Sequence, residues 1–380
     1  MIQIMKSEEC CGCSACYASC PVNAISMVRD NEGFLYPNVD NSLCIHCGRC
    51  ESICRFRTKP LSSRRTPDVY VAVNSSDEVL TKSTSGGLFT ALSDLVFCQG
   101  GVVYGAVYDE NLHVHHMRAE KEIDRNRMRG SKYVQSDMKD CYRQVKNDIL
   151  SKRVVLFTGT PCQVDGLYSY LSGACVDSLI TCDIICYGAP SPRVFQEHIN
   201  FLERKYHSRI VSYECRPASH GHAWGCATEL AVTERGRIIH SNPWIALKRK
   251  VFYANLDKRP ACYNCKYCST DRPSDFSIGD CRMAKEIVPD EGFFNGVSTL
   301  LVNTAKGKKH LSELRKTVKL WPTTTDRILQ APLLEPTPAP LKREVFWTEL
   351  DKAGYLAAVS ACFGKCSILK SWIKKIARID

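Results

Sequence analysis

The residues with the most distinctive chemistry are eight cysteines that occur in two copies of one spacing. Each copy reads Cys-x2-Cys-x2-Cys-x3-Cys, beginning at Cys10 and at Cys44. In this spacing three close thiolates bind one cubane [4Fe-4S] cluster, and the fourth cysteine binds the neighbouring cluster. We therefore predict two clusters, the first bound by Cys10, Cys13, Cys16 and Cys54, and the second by Cys44, Cys47, Cys50 and Cys20.

The alternative for these cysteines is a pair of zinc sites, because CxxC pairs also bind tetrahedral zinc. The doubled register, with a proline after the first copy, favours iron–sulfur clusters. Gly12 and Gly48 allow the backbone to approach a cluster closely, and Cys11 is left as a spare thiol. Arg55 stands where the second copy would usually carry proline. Residues 6–56 resemble a bacterial two-cluster ferredoxin.

The composition is that of a metal-binding protein rather than a disulfide-linked one. The chain has 380 residues, 44% of them hydrophobic, with 23 cysteines. We expect two or three domains, a cytoplasmic location, and neither a signal peptide nor a membrane span. The net charge of +11 counts each cysteine as neutral, whereas each cluster carries about −2. Basicity is therefore weak evidence for nucleic acid, and we expect none to be bound.

The rest of the chain alternates predicted strands and helices. Residues 59–67 are basic and rich in proline and serine, which is typical of a linker. Apolar β-branched segments predict strands at 69–74, 102–108, 154–159 and 178–186. Apolar periodicity and helix-start signals predict helices at 88–97, 136–150, 162–172 and from Pro192 onwards. This order predicts an α/β body, in which ligands gather at the carboxyl ends of the strands.

Further cysteines stand at those strand ends and in a later segment. Cys162 follows Thr160 and Pro161, an N-cap and a first helical residue, and Cys186 ends the next strand. The later segment contributes Cys262, Cys265, Cys268 and Cys281. The residues alone leave two possibilities open. Either Cys162, Cys186, Cys262 and Cys265 bind a third cubane, or the first two are buried core residues and the four later cysteines form a local metal site.

The segments STSGGLFTAL, GSKYVQS, GTPCQVDGL, ICYGAPSP and RPACYNC…DFSIGD resemble, in this order, those of the coenzyme F420 hydrogenase/dehydrogenase beta-subunit family. This family is flavin-dependent and includes the plant 7-hydroxymethyl chlorophyll a reductase. The resemblance implies an α/β (α+β) body that binds FAD, with a third [4Fe-4S] cluster held by Cys162, Cys186, Cys262 and Cys265. Cys268 and Cys281 exceed the family pattern, so an exchange of ligands stays open. The residues expected to contact the flavin are Ser85, Gly86, Gly87, Lys132, Tyr133, Gly159 and Thr160.

Two further features are less specific. His220 and His222 are candidates for proton transfer or substrate contact, although surface histidines are commoner. Residues 367–380 form a basic amphipathic pattern that suits docking onto the protein's own core, onto a partner subunit, or onto the inner face of a membrane.

We therefore predict a small α+β ferredoxin-like domain (1–58), a linker (59–67), an FAD-binding α/β domain (68–205), a C-terminal family domain (206–345) and a helical tail (346–380). The predicted function is an oxidoreductase that relays single electrons from a reduced ferredoxin or another low-potential donor through three clusters to FAD, which exchanges hydride with a small organic substrate. The alternative is a non-catalytic electron-transfer subunit of a larger hydrogenase or dehydrogenase complex. Self-association is left open.

Overall fold

The N-terminal segment folds as a two-stranded antiparallel hairpin between two short helices. Its elements are α1 (Ala15–Ser19), β1 (Ile25–Arg29), β2 (Leu35–Val39) and α2 (Arg49–Ser52). In the hairpin, Ile25 pairs with Val39 and Arg29 with Leu35. The computed structural model describes residues 1–58, 60–61, 66–174, 176–217, 228–240, 242–288 and 296–364. This segment is therefore α+β, and its boundary at residue 58 stays a prediction.

The body is built on a large mixed sheet and a smaller antiparallel one. Its strands are β3 (Asp68–Asn74), β4 (Val102–Tyr108), β5 (Val114–Ala119), β6 (Val155–Gly159), β7 (Leu179–Ile184), β8 (Ile210–Cys215), β9 (Glu229–Thr233), β10 (Ile238–His240), β11 (Phe276–Asp280), β12 (Ser298–Val302) and β13 (Val318–Thr323). In the part of the chain that the structure describes, the large sheet has the strand order β13-β3-β12-β11-β7-β6-β4-β5, and the small one β10-β9-β8.

The helices of the body are mostly short. They are α3 (Asp77–Thr81), α4 (Leu88–Phe97), α5 (Glu122–Asn126), α6 (Cys141–Leu150), α7 (Pro161–Tyr170), α8 (Pro192–Tyr206), α9 (Leu247–Tyr253), α10 (Ala284–Ile287), α11 (Ala305–Lys309), α12 (Leu311–Leu314), α13 (Thr325–Ile328), α14 (Arg343–Ala353) and α15 (Tyr355–Phe363). Those predicted from residues 88–97, 162–172 and Pro192 are confirmed. The helix predicted from residue 136 begins at Cys141, five residues later. Within the described ranges, no helix is both long enough and apolar enough to cross a membrane.

The centre of the large sheet is parallel, as the sequence predicts. Strands β4, β6, β7 and β11 run in one direction, and β6 and β7 are hydrogen-bonded neighbours. The outer strands differ from a uniform parallel sheet, because β5, β12, β3 and β13 pair in antiparallel fashion. These pairings join segments far apart in sequence, such as β3 and β12. The body is thus mixed α/β, and its parallel centre aligns the carboxyl ends of β6 and β7.

The C-terminal helices pack into the core of the body rather than standing apart as a tail. Phe346, Leu350 and Val359 are buried in one apolar cluster with residues of α8, α9 and the small sheet. Phe346 has no exposed surface. Residues 365–380, which include the whole basic amphipathic pattern at 367–380, lie outside the described residues.

The N-terminal segment is docked onto the body on the side of α7. Arg55, found in place of the usual proline, pairs with the buried carboxylate of Asp165 on α7 at 3.5 Å. The Ser169 hydroxyl, also on α7, donates to the carbonyl of Ile53 at 2.5 Å. In the predicted linker, the backbone N–H of Leu61 donates to Asp165 at 3.1 Å. The unusual Arg55 therefore serves attachment to the body.

The turn between β1 and β2 is held by a second set of contacts. The Ser191 hydroxyl, at the start of α8, donates to the carbonyl of Glu32. Arg193 donates to the carbonyl of Asn31 at 2.6 Å, and Arg343 of α14 forms an ion pair with the carboxylate of Glu32. Two distant segments of the body therefore fix the tip of the hairpin.

Phe346→Ala is expected to lower the free energy of unfolding by about 3–5 kcal/mol, because it removes a fully buried ring and leaves a cavity. The matched control is Leu341→Ala, close to the first turn of α14, whose side chain is fully exposed. It should change stability by less than about 0.5 kcal/mol. Urea unfolding under anaerobic conditions, followed by circular dichroism, compares the two. Equal effects would contradict the packing of α14 described above.

Candidate functional site

The four thiols predicted for the first cluster lie together at the face of the N-terminal segment that meets the body. Burial raises the pKa of the Cys16 thiol well above its usual value, and the neighbouring thiols of Cys13, Cys10 and Cys54 act in the same direction. The backbone N–H of Gly12 donates to the Cys10 sulfur at 3.4 Å. Gly12 has a φ of +72°, which favours glycine. The fourth cysteine of the second copy thus joins the first group, as the spacing predicts.

The four thiols predicted for the second cluster line one small cavity. They are Cys20, Cys44, Cys47 and Cys50. The backbone N–H of Ala24 donates to the Cys20 sulfur at 3.2 Å, and that of Ile2 donates to the Cys50 sulfur at 3.2 Å. Cys47 is exposed, so this group reaches the protein surface. Cys16 and Cys50 are buried in a shared apolar cluster, which places the two groups side by side.

A third group of thiols lines a large cavity in the body. The cavity has a volume of about 430 Å³, and its walls include Cys162, Cys186, Cys262, Cys265 and Cys268. Two of them stand at the carboxyl ends of the neighbouring parallel strands β6 and β7, as expected. The other three come from the segment after α9. Strands and loops that are distant in sequence therefore converge on one space.

Local backbone structure explains how the third group is positioned. Thr160 closes a capping box with Gln163 at the start of α7, so Cys162 lies in the first turn. The backbone N–H groups of Gly188 and Ala189 donate to the sulfurs of Cys186 and Cys262, each at 3.3 Å. A third such bond runs from Tyr267 N–H to the Cys265 sulfur at 3.4 Å.

The structure separates the two surplus cysteines. Cys281 is buried in a different apolar cluster, among residues of β3 and α10, and is not among the cavity walls. The Cys268 thiol instead interacts with that of Cys265, and this contact lowers the pKa of Cys265 to about 7. Of the two candidates for an exchange of ligands, Cys268 is the one placed to take part.

The donor sets fit iron–sulfur clusters. At least six of the twelve predicted ligand sulfurs accept a backbone hydrogen bond, an interaction that stabilises thiolate charge and tunes a cluster. No set of three or more His, Cys, Asp or Glu side chains in the described ranges is grouped as for a single metal ion. In a cubane each iron takes one protein thiolate, so the thiols surround a volume.

Cys11, the spare thiol of the sequence, lies between the first group and the third. Its pKa is raised well above the usual value, chiefly because its thiol contacts those of Cys13 and Cys162. Cys11 and Tyr267 are buried in one apolar cluster, on which thiols of both groups pack. The spacing offered no signal for this position, since Cys11 falls outside the repeat.

The residues expected to contact a flavin divide into two sets. Five of them line the cavity: Ser85, Lys132, Tyr133, Gly159 and Thr160. Gly86 and Gly87 do not. The backbone N–H of Gly86 donates to the Ser298 hydroxyl at 2.9 Å, and a Cβ at Gly86 would lie 2.4 Å from the carbonyl oxygen of Ala72. These glycines therefore serve the packing of α4 against β3 and β12.

Lys132 has partners other than a phosphate. Its ammonium donates to the carbonyls of Met128, Arg129 and Gly130 at 3.2, 2.9 and 3.2 Å, which uses its three N–H bonds. Burial lowers its pKa to about 8. The aromatic ring of Tyr133 stacks on Phe252 with the centroids 4.5 Å apart. His220 and His222 lie outside the described residues.

Sequence reasoning missed several charged groups on the cavity wall. Arg216, directly after β8, forms an ion pair with Asp280 at 2.5 Å, and Arg282 donates to the Tyr187 hydroxyl. All four of these residues line the cavity. Single arginines at strand ends have no pattern by which the sequence could reveal them.

Residues 152–327 match the model of the C-terminal part of the coenzyme F420 hydrogenase/dehydrogenase beta subunit, and residues 9–58 match the 4Fe-4S dicluster domain. Comparison with curated proteins finds no match. A chain from a xenon-derivatized structure of the F420-reducing [NiFe] hydrogenase complex of Methanosarcina barkeri shares 18% identity, with a TM-score of 0.46. The alignment covers 77% of this chain and 89% of that chain.

Replacing Cys186 with serine is expected to remove about four irons per chain, because one cubane holds four. The matched control is Cys281→Ser, another cysteine that follows a strand of the large sheet, which should leave the iron content unchanged. Iron and sulfide counts on anaerobically purified protein measure both. Loss of iron in the control and not in the Cys186 variant would contradict the assignment of the third group.

Proposed function

We propose that this chain is an iron–sulfur electron-transfer subunit of a hydrogenase or dehydrogenase complex, because residues 152–327 match the C-terminal part of the coenzyme F420 hydrogenase/dehydrogenase beta subunit and residues 9–58 match a 4Fe-4S dicluster domain. The single observation that carries this proposal is the contact between successive thiol groups. The second group packs against the first, and the first meets the third through Cys11.

The proposed electron path has one end at the second thiol group and the other at the third. Cys47 of the second group is exposed, whereas the third group lines the cavity inside the body. When bound, [4Fe-4S] clusters pass one electron at a time between such sites. The protein holds the thiols, donates backbone N–H groups to the sulfurs, and packs Phe56 and Tyr267 around the junction. The exposed end suits exchange with a partner subunit or a low-potential donor such as reduced ferredoxin.

This proposal corresponds to the alternative in the sequence analysis. A self-contained FAD-dependent reductase finds less support, because two of the seven expected flavin residues, Gly86 and Gly87, are used in packing. Lys132 likewise has its ammonium satisfied by carbonyls of its own loop.

One observation nevertheless favours FAD chemistry as a second candidate. The cavity beside the third thiol group has about 430 Å³, within the range of roughly 300–1,000 Å³ typical of pockets for small molecules and cofactors. Five expected flavin residues line it, and the aromatic residue Tyr133 is one of them. A flavin at this place would join single-electron transfer to hydride exchange with a small organic substrate.

We expect Cys47→Ser to slow reduction of the cluster at the third thiol group, here called the body cluster, at least tenfold. The reason is that the substitution removes a ligand at the exposed end of the electron path. The matched control is Cys98→Ser, an exposed cysteine after α4 that belongs to none of the three groups. Stopped-flow reduction by a low-potential protein donor, followed at the body cluster, measures both rates. An unchanged rate in the Cys47 variant would mean that electrons enter elsewhere.

Cofactor counting separates the two candidates. The anaerobic full-length protein should contain about twelve irons and twelve sulfides per chain, from three cubanes. About one flavin per chain would favour the reductase, and co-purification with a partner subunit without flavin would favour the electron-transfer subunit. Zinc without sulfide would contradict both.

A further inference from the structure

One arginine is buried at the junction between the N-terminal hairpin and the body. Arg259 has no exposed surface. Its guanidinium donates to the carbonyl of Cys10 at 2.6 Å, to that of Leu35 at 3.0 Å, and to the side-chain oxygen of Gln135 at 3.0 Å. The ring centroid of Tyr36 lies 4.2 Å from the guanidinium carbon. The group is therefore held rigidly by both parts of the chain.

Arg259 differs from other buried cations of this protein in its partners. Arg272 pairs with Asp183 at 2.8 Å, and Lys248 with Asp257 at 2.7 Å. Among the residues that the structure describes, no carboxylate forms an ion pair with Arg259; its hydrogen-bond acceptors are neutral oxygens. A buried charge without a counter-ion is strongly disfavoured, so an anion is needed nearby.

Arg259 lies beside two of the thiol groups, whose clusters would supply that negative charge. A Cβ at Gly12, in the loop of the first group, would lie 2.7 Å from the guanidinium of Arg259. The backbone N–H of Cys262, in the third group, donates to the carbonyl of Arg259 at 2.9 Å. The arginine thus lies between the first group and the third.

We propose that Arg259 is a positioning residue whose fixed charge balances the anionic clusters at this junction and raises their reduction potentials. The inference rests on the cluster sites of the proposed function. A cubane with four thiolates carries about −2 and becomes about −3 on accepting one electron. A fixed cation stabilises the reduced cluster more than the oxidised one, because the reduced cluster carries more negative charge. The cation therefore favours reduction of the clusters at the junction.

The first test compares Arg259→Met, which keeps the stem and removes the charge, with Arg259→Lys, which keeps the charge. Potentiometric titration of the full-length anaerobic protein, followed by electron paramagnetic resonance, measures the cluster potentials. The methionine variant should lose at least tenfold in the one-electron reduction constant, a shift of about 59 mV to more negative potential. The lysine variant should lie close to the wild type.

A second pair of variants leaves the arginine in place. Gln135 also donates to the carbonyl of Cys11 at 3.0 Å, and both Gln135→Glu and Gln135→Met remove that bond. Only the glutamate adds a negative charge beside Arg259. It should shift the potentials in the same direction as Arg259→Met, whereas Gln135→Met should not. This pair decides the question even if Arg259→Met fails to fold.

Each outcome has one meaning. Wild-type protein without iron and sulfide would overturn the proposed function itself. Full clusters with unchanged potentials in Gln135→Glu, and in Arg259→Met where it folds, would overturn the role of Arg259 and leave the proposed function standing. The role of Arg259 would also be overturned if Arg259→Lys shifted the potentials as much as Arg259→Met, or if Gln135→Met shifted them as much as Gln135→Glu. Geometry rather than charge would then be responsible for the shift.

Discussion

Charge buried at the junction between the N-terminal hairpin and the body is the constraint on which the arrangement of this protein depends. Thiolates are stable in an apolar interior only when hydrogen bonds and cations compensate them. The chain provides both, through backbone N–H groups directed at sulfur and through Arg259. The cysteines of the first group come from the N-terminal segment whereas Arg259 comes from the body, so the first group gains this cation only where the two parts meet.

The body sheet is organised to serve the same junction. Its parallel centre aligns the ends of β6 and β7, which carry Cys162 and Cys186 towards one side. The antiparallel strands around it tie the first strand of the body to segments more than two hundred residues later, as when Ser298 pairs with Ala72. This connection fixes the start of the body, next to the linker, relative to the cavity.

The sequence predicted the local parts of this structure well. Eight cysteines in a doubled spacing carry their geometry with them, and the grouping of Cys20 and Cys54 across the two copies agrees with the structure. The strands at 69–74 and 102–108 and the capped start of α7 are likewise set by local apolar patterns and helix-start residues, so they could be predicted directly.

The remaining features depend on contacts between distant segments, which no local pattern records. The antiparallel edges of the sheet could not be inferred from an α/β order of elements. Gly86 resembled a phosphate loop, yet its N–H is used by Ser298, more than two hundred residues away. Cys11 falls outside the cysteine repeat, and Arg259 opens the segment RPACYNC, but neither position reveals from the sequence that it contacts the other part of the chain.

The tip of the β1–β2 hairpin, held by Ser191, Arg193 and Arg343, has a consequence for how the molecule works. A cluster carried on a swinging arm would transfer electrons at a rate that depends on diffusion of the arm through solvent. Here the arm is fastened at its far end as well as at its base, where Arg55 meets Asp165. The distances between the thiol groups are therefore fixed by the fold and do not depend on diffusion of a segment. Solvent viscosity should change the rate of electron transfer only at the step where a separate molecule docks.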